Sequence, residues 1–99
     1  PVCVVVPSPR EVSMKKLAAA FSGKAAHMMK VSDAERLTGY KVGGVSPFGQ
    51  RKPAPTVIDE TAQLFERIYI NAGQRGLLLS IAPDDAARVL NAPYVDLMA

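Results

Sequence analysis

Five residues, Gly39, Gly43, Gly44, Pro47 and Gly49, make residues 39–49 too irregular for a helix or an ordinary strand. Glycine permits positive φ and close approach of the backbone, while proline fixes φ and removes a donor. A loop of this composition can turn its own N–H and C=O groups towards a small ligand. A structural double turn is the competing explanation.

Side-chain chemistry is thinner. Ser46, His27 and Asp59 could be drawn as a hydrolytic triad, yet Ser46 lacks a G-x-S-x-G elbow and Pro47 follows it directly. One histidine and one cysteine, His27 and Cys3, stand far apart and make no zinc site, so neither metal nor cofactor is expected. Cys3 lies in an apolar run and reads as inert core. The glycines match neither G-x-x-x-x-G-K-[ST] nor G-x-G-x-x-G, which excludes the usual phosphate and dinucleotide loops. Asp84 and Asp85 sit where acidic residues favour a helix N-terminus.

The order of the short motifs carries more information. Gly43-Gly44-Val45-Ser46-Pro47 fits the G-x-x-x-P signature of the YbaK/EbsC family, aminoacyl-tRNA deacylases related to the editing domain of bacterial prolyl-tRNA synthetases. Leu37-Thr38-Gly39-Tyr40 before it, and residues 52–59 after it, also resemble the family. So do the second glycine turn at residues 69–76, the helix pattern at 83–90 and Val95-Asp96-Leu97. The likeness spans nearly all 99 residues in the same order.

The resemblance implies an α/β fold with a strongly curved, barrel-like mixed sheet surrounded by short helices. It implies metal-free hydrolysis of the ester of a mischarged aminoacyl-tRNA, Cys-tRNA(Pro) or a related substrate. An aminoacyl ester develops an oxyanion under attack and ends in a ribose hydroxyl; fixed peptide groups can hold both. By this likeness the Gly43 carbonyl places the substrate, Gly44, Val45, Ser46 and Pro47 contact it, and Asn71, Gly73, Arg75 and Gly76 line the opposite side. Two departures matter. The family's functional lysine and an aromatic residue fall ahead of Pro1, so residues 1–99 are expected to form one editing domain lacking roughly a third at its N-terminus. Some cysteine-specific members also carry an acidic residue where this chain has Leu78.

Bulk composition is compatible with this reading without requiring it. The chain is 48% apolar, with a net charge of +3 and a pI near 9.3. That charge leans weakly towards an anionic partner such as RNA, through Lys15, Lys16, Lys24, Lys30, Lys41, Arg51 and Lys52, and a solvated basic surface is the more frequent explanation. With six aromatic residues in all, no RNA-recognition motif is present. A lone cysteine excludes a disulfide scaffold. No run of about 18 apolar residues predicts a membrane span, and the cytoplasm is the expected compartment. Mischarged tRNA is the expected partner, with an aminoacyl-tRNA synthetase as a second. A non-catalytic aminoacyl-tRNA or synthetase-associated binding module is the rival function, and deacylation assays separate the two.

The elements that must hold the loop follow from periodicity. Val2-Cys3-Val4-Val5-Val6 reads as a fully buried strand. Ser13 is a candidate N-cap for a helix over 14–21 that Gly23 stops. Residues 24–29 suggest a short strand, and Ser32 with Glu35 a capping box for a helix that Gly39 ends. Strands are expected at 56–58, 67–71, 77–81 and 94–97. Asp59 is expected to cap a short helix through Phe65, and Pro83 to open one ending near Asn91.

Overall fold

The computed structural model describes residues 2–7, 12–26, 28–41, 43–74 and 76–99. Its strands fall into two sheets. Strands β1 (Cys3–Val5), β2 (Thr56–Asp59) and β5 (Tyr94–Val95) form a parallel sheet in the order β1-β2-β5. Cys3 stands opposite Thr56 and Ile58 opposite Tyr94. Strands β3 (Ile68–Asn71) and β4 (Leu78–Ile81) make a separate antiparallel hairpin, with Tyr69 opposite Ser80 and Asn71 opposite Leu78. Parallel and antiparallel pairings are thus both present, in different sheets, and neither sheet closes on itself among the described residues.

Strand β2 is the centre. All four of its residues are buried, and its alternation feeds two cores. Val57 joins Leu17 and Leu97, where α1 (Met14–Ala20) covers one face of the sheet. Ile58 joins Ile70, Ala86 and Ala92, so the hairpin and α3 (Pro83–Leu90) cover the other. Strand β1 departs from expectation: it lies at the sheet edge, half-buried, with Val2 exposed. An unbroken apolar run suits a central strand, but β2 already holds that place with partners on both sides.

Local signals set most element ends. Ser13 accepts a hydrogen bond from the Lys16 N–H at 3.2 Å, capping α1. Beyond that helix Ser22, not Gly23, takes the left-handed conformation (φ 56°), and the Gly23 N–H closes onto the Ala18 carbonyl at 2.8 Å. Helix α2 (Val31–Thr38) ends at Gly39 with φ 83°. Its start corrects the sequence reading: Lys30 is the N-cap, without a side-chain bond, and Ser32 falls inside the helix. A capping box needs its hydroxyl one residue before the first turn, and helix formation from Val31 moves Ser32 past that point. Of the strand expected at 24–29, none forms among the described residues, because no neighbouring strand offers the segment a ladder. Pro83 occupies the first turn of α3, and Asn91 ends it in the left-handed region (φ 51°).

Candidate functional site

Helix α2 and the start of β2 together hold the glycine loop. After Gly39 the chain leaves α2, passes through residues 43–49, and returns to the helix it left. The Arg51 N–H donates to the Thr38 carbonyl at 2.8 Å, and the Lys52 N–H to the Leu37 carbonyl at 2.9 Å. These two bonds close the neck of the loop. Inside it, the Gly44 N–H donates to the Lys41 carbonyl at 3.0 Å, and Gly43 holds φ 91°, a conformation costly to any residue with a Cβ. Ser46 is buried; its Oγ accepts from the Phe48 N–H at 3.2 Å, while the Gln50 side-chain amide donates to its carbonyl at 2.9 Å. A hydroxyl held in this way stabilises the turn and is not presented as a nucleophile.

The second glycine turn meets the first. A Cβ built on Gly44 would lie 2.8 Å from the backbone of Gln74, so the two main chains touch where only glycine fits. Tyr40 couples them further. A Cβ on Gly73 would sit 3.0 Å from the Tyr40 ring, and one on Gly49 would sit 3.3 Å from its hydroxyl. That hydroxyl donates to the Phe48 carbonyl at 2.5 Å. The sequence reading passed over Tyr40 and Gln50 as site residues; an aromatic one residue beyond a helix-ending glycine was the available signal for the first.

The expected residues therefore divide. Gly44 and Gly73 are brought together through Gln74 and Tyr40. Asn71 ends β3 directly opposite Leu78, which places the position where some family members are acidic beside a candidate site residue. Val45 and Pro47 point to different hollows: Val45 lines a cavity of about 390 Å³ with Cys3 and Leu37, and Pro47 lines one of about 210 Å³ with Phe48 and Leu90. A Cβ on Gly76 (φ 81°) would meet nothing within 4 Å, so its requirement is conformational. Arg75 and His27 lie outside the described residues.

Asp59 is engaged elsewhere. Its carboxylate accepts from the Leu97 N–H at 3.0 Å, from the Thr61 N–H at 3.1 Å and from the Thr61 hydroxyl. Burial would raise its pKa, but these bonds, with help from Lys16, hold it below the usual carboxylate value. It locks the end of β2 to the segment after β5 and has no contact with Ser46 to offer a triad. Burial pushes the Cys3 thiol up, against smaller opposing effects of Gln50 and Thr56, which fits an unreactive role. Among the described residues no three His, Cys, Asp or Glu side chains gather at one point.

Comparison with known proteins settles the family. The model of the aminoacyl-tRNA editing domain matches residues 1–89. This chain belongs to that family. A protein of Enterococcus faecalis named "Putative Cys-tRNA(Pro)/Cys-tRNA(Cys) deacylase EbsC" is 37% identical over 97 residues, covering 98% of this chain and 59% of the relative. The chain thus spans about three fifths of the curated relative that it matches. Two solved structures share the editing-domain fold. The crystal structure of a hypothetical protein gives a TM-score of 0.89 at 21% identity, over 99% of this chain and 65% of the other. A candidate trans-editing enzyme for prolyl-tRNA synthetase gives 0.84 at 22% identity, over 91% and 57%. Both place the parallel sheet, hairpin and helices in one known α/β arrangement.

Proposed function

We propose that the chain carries the substrate-placing face of a hydrolase that cleaves the ester of mischarged aminoacyl-tRNA in trans, with Cys-tRNA(Pro) or a related species as substrate. The observation that carries this reading is the meeting of the two glycine turns. Main-chain groups fixed by the fold lose little on reorganisation when charge develops on an ester oxygen. Gly43 places the substrate through its carbonyl; Gly44, Val45, Ser46 and Pro47 are the further contacts on its loop. Asn71, Gly73, Arg75 and Gly76 form the facing side. Water or a group of the substrate itself attacks the ester carbon and gives up its proton, the carbonyl electrons pass to the carbonyl oxygen, and their return breaks the bond to the ribose oxygen, which takes up that proton and leaves as the hydroxyl. The name of the 37%-identical relative supports the cysteine and proline systems.

The same proposal includes the finer architecture and setting: a barrel-like curvature of the sheet in the whole domain, a cytoplasmic location, and association with a synthetase. Residues 1–99 would then belong to one editing domain. The test is a deacylation panel of mischarged tRNAs, run on this chain and on the full-length gene product. Release of amino acid from one mischarged tRNA, persisting after EDTA treatment, is the expected result. Tight binding of charged tRNA without release in either form would replace the hydrolase with a non-catalytic binding module. Activity abolished by EDTA and restored by zinc would end the metal-free mechanism.

A further inference from the structure

Charge is unevenly spread along this chain. Nine of the twelve lysines and arginines precede Asp59, but only three of the nine acidic residues do. The fold concentrates part of that excess at one place. Lys41 opens the glycine loop and Arg51 and Lys52 close it, and the bonds from Arg51 and Lys52 to Thr38 and Leu37 bring both ends to the tip of α2. All three side chains are exposed. Arg51 lies along the Gly39 backbone, where a Cβ would stand 3.5 Å from its Nε, and Lys52 borders the larger cavity beside Val45. The ion pairs among the described residues join Lys16 to Asp96, Arg36 to Asp33 and Arg88 to Asp85. None of them engages the three cations of the neck.

Unpaired surface cations repel one another and gain from an anion that spans them. We infer that Lys41, Arg51 and Lys52 form a phosphate-binding collar around the glycine loop, which seats the sugar–phosphate backbone at the acceptor end of the RNA. The inference rests on the proposed deacylase reading and adds to it where the nucleic acid lies. Peptide groups of the loop then meet the ester while the collar neutralises the phosphates behind it. Contacts of this type position a substrate without reading its sequence.

The collar is tested by Lys41→Gln/Arg51→Gln/Lys52→Gln in the full chain, with uncharged tRNA binding measured from low to moderate salt. Each lost phosphate contact lowers the slope of log affinity against log salt by about 0.7–0.9, so the triple variant should lose about 2 units of slope and at least tenfold in affinity at low salt. Exchanging the cations (Lys41→Arg/Arg51→Lys/Lys52→Arg) should restore the parent slope, as should Arg67→Gln/Arg88→Gln, placed elsewhere. Where deacylation is measurable, KM should rise several-fold more for a mischarged tRNA than for the corresponding 3′-aminoacyl-adenosine. A folded triple variant with the parent salt slope overturns the collar, and so does an equal loss on both esters. Parent protein that binds tRNA with the expected slope but hydrolyses no ester would retain the collar and remove the hydrolase.

Discussion

Ser46 and Asp59 are both deeply buried polar residues, 2% and 1% exposed, yet they lock their surroundings over different ranges. Ser46 is satisfied within four residues, by Phe48 and Gln50. Asp59 reaches across 38 positions to the Leu97 N–H while also capping the 3₁₀ turn Glu60–Leu64. The first arrangement shapes a loop. The second ties the central strand to the end of the chain. A candidate catalytic side chain and a fold-holding one can therefore look alike in sequence and differ completely in reach.

The largest effect should come from Asp59→Ala. Burying the Leu97 and Thr61 donors without an acceptor costs on the order of 3 kcal/mol, to be read from the denaturant midpoint. The acid limb gives a finer reading. Because the folded pKa of Asp59 is lowered, its stabilisation is complete above the unfolded carboxylate value and vanishes as pH falls through the folded one. Asp59→Asn should flatten that decline; a parent-like acid limb would remove Asp59 from its proposed role.

Gly44→Ala comes next. The added methyl must displace the Gln74 main chain, costing about 1–3 kcal/mol, and should also abolish most deacylation by parting the two turns. Gly43→Ala should be milder for stability, about 1–2 kcal/mol for the left-handed backbone, but should lower kcat/KM by tenfold or more at unchanged fold. Ser46→Ala should be smallest, about 1 kcal/mol with most turnover retained. Abolished turnover in that variant, with an acyl-enzyme trapped on the parent serine, would restore the triad and erase the contrast between the two residues.

Sequence rules caught what neighbours in the chain decide. Pro83 and Asn91 bracket α3, Ser13 caps α1, Gly39 ends α2 and Asp59 caps the turn after β2, each through atoms a few residues apart. They failed where a distant segment decides. The valines of β1 give no sign that β2 already occupies the sheet centre, and among the described residues of 24–29 no ladder forms to make the expected strand. The glycines of both turns were legible as turns. That Gly44 rests on Gln74, thirty positions away, is a fact of packing which no spacing contains.

Tyr40 has a consequence for motion. Its ring fills the space left by Gly49 on one side and Gly73 on the other, with its hydroxyl anchored on Phe48. Neither turn can swing outward without uncovering the same ring. In hydrogen exchange, amides of residues 43–49, 72–74 and 76–77 should consequently open with one shared free energy, as a single cooperative unit distinct from the β2 core. Tyr40→Ala would divide that unit, leaving two turns that fluctuate independently and an ester that finds its two walls in register only part of the time.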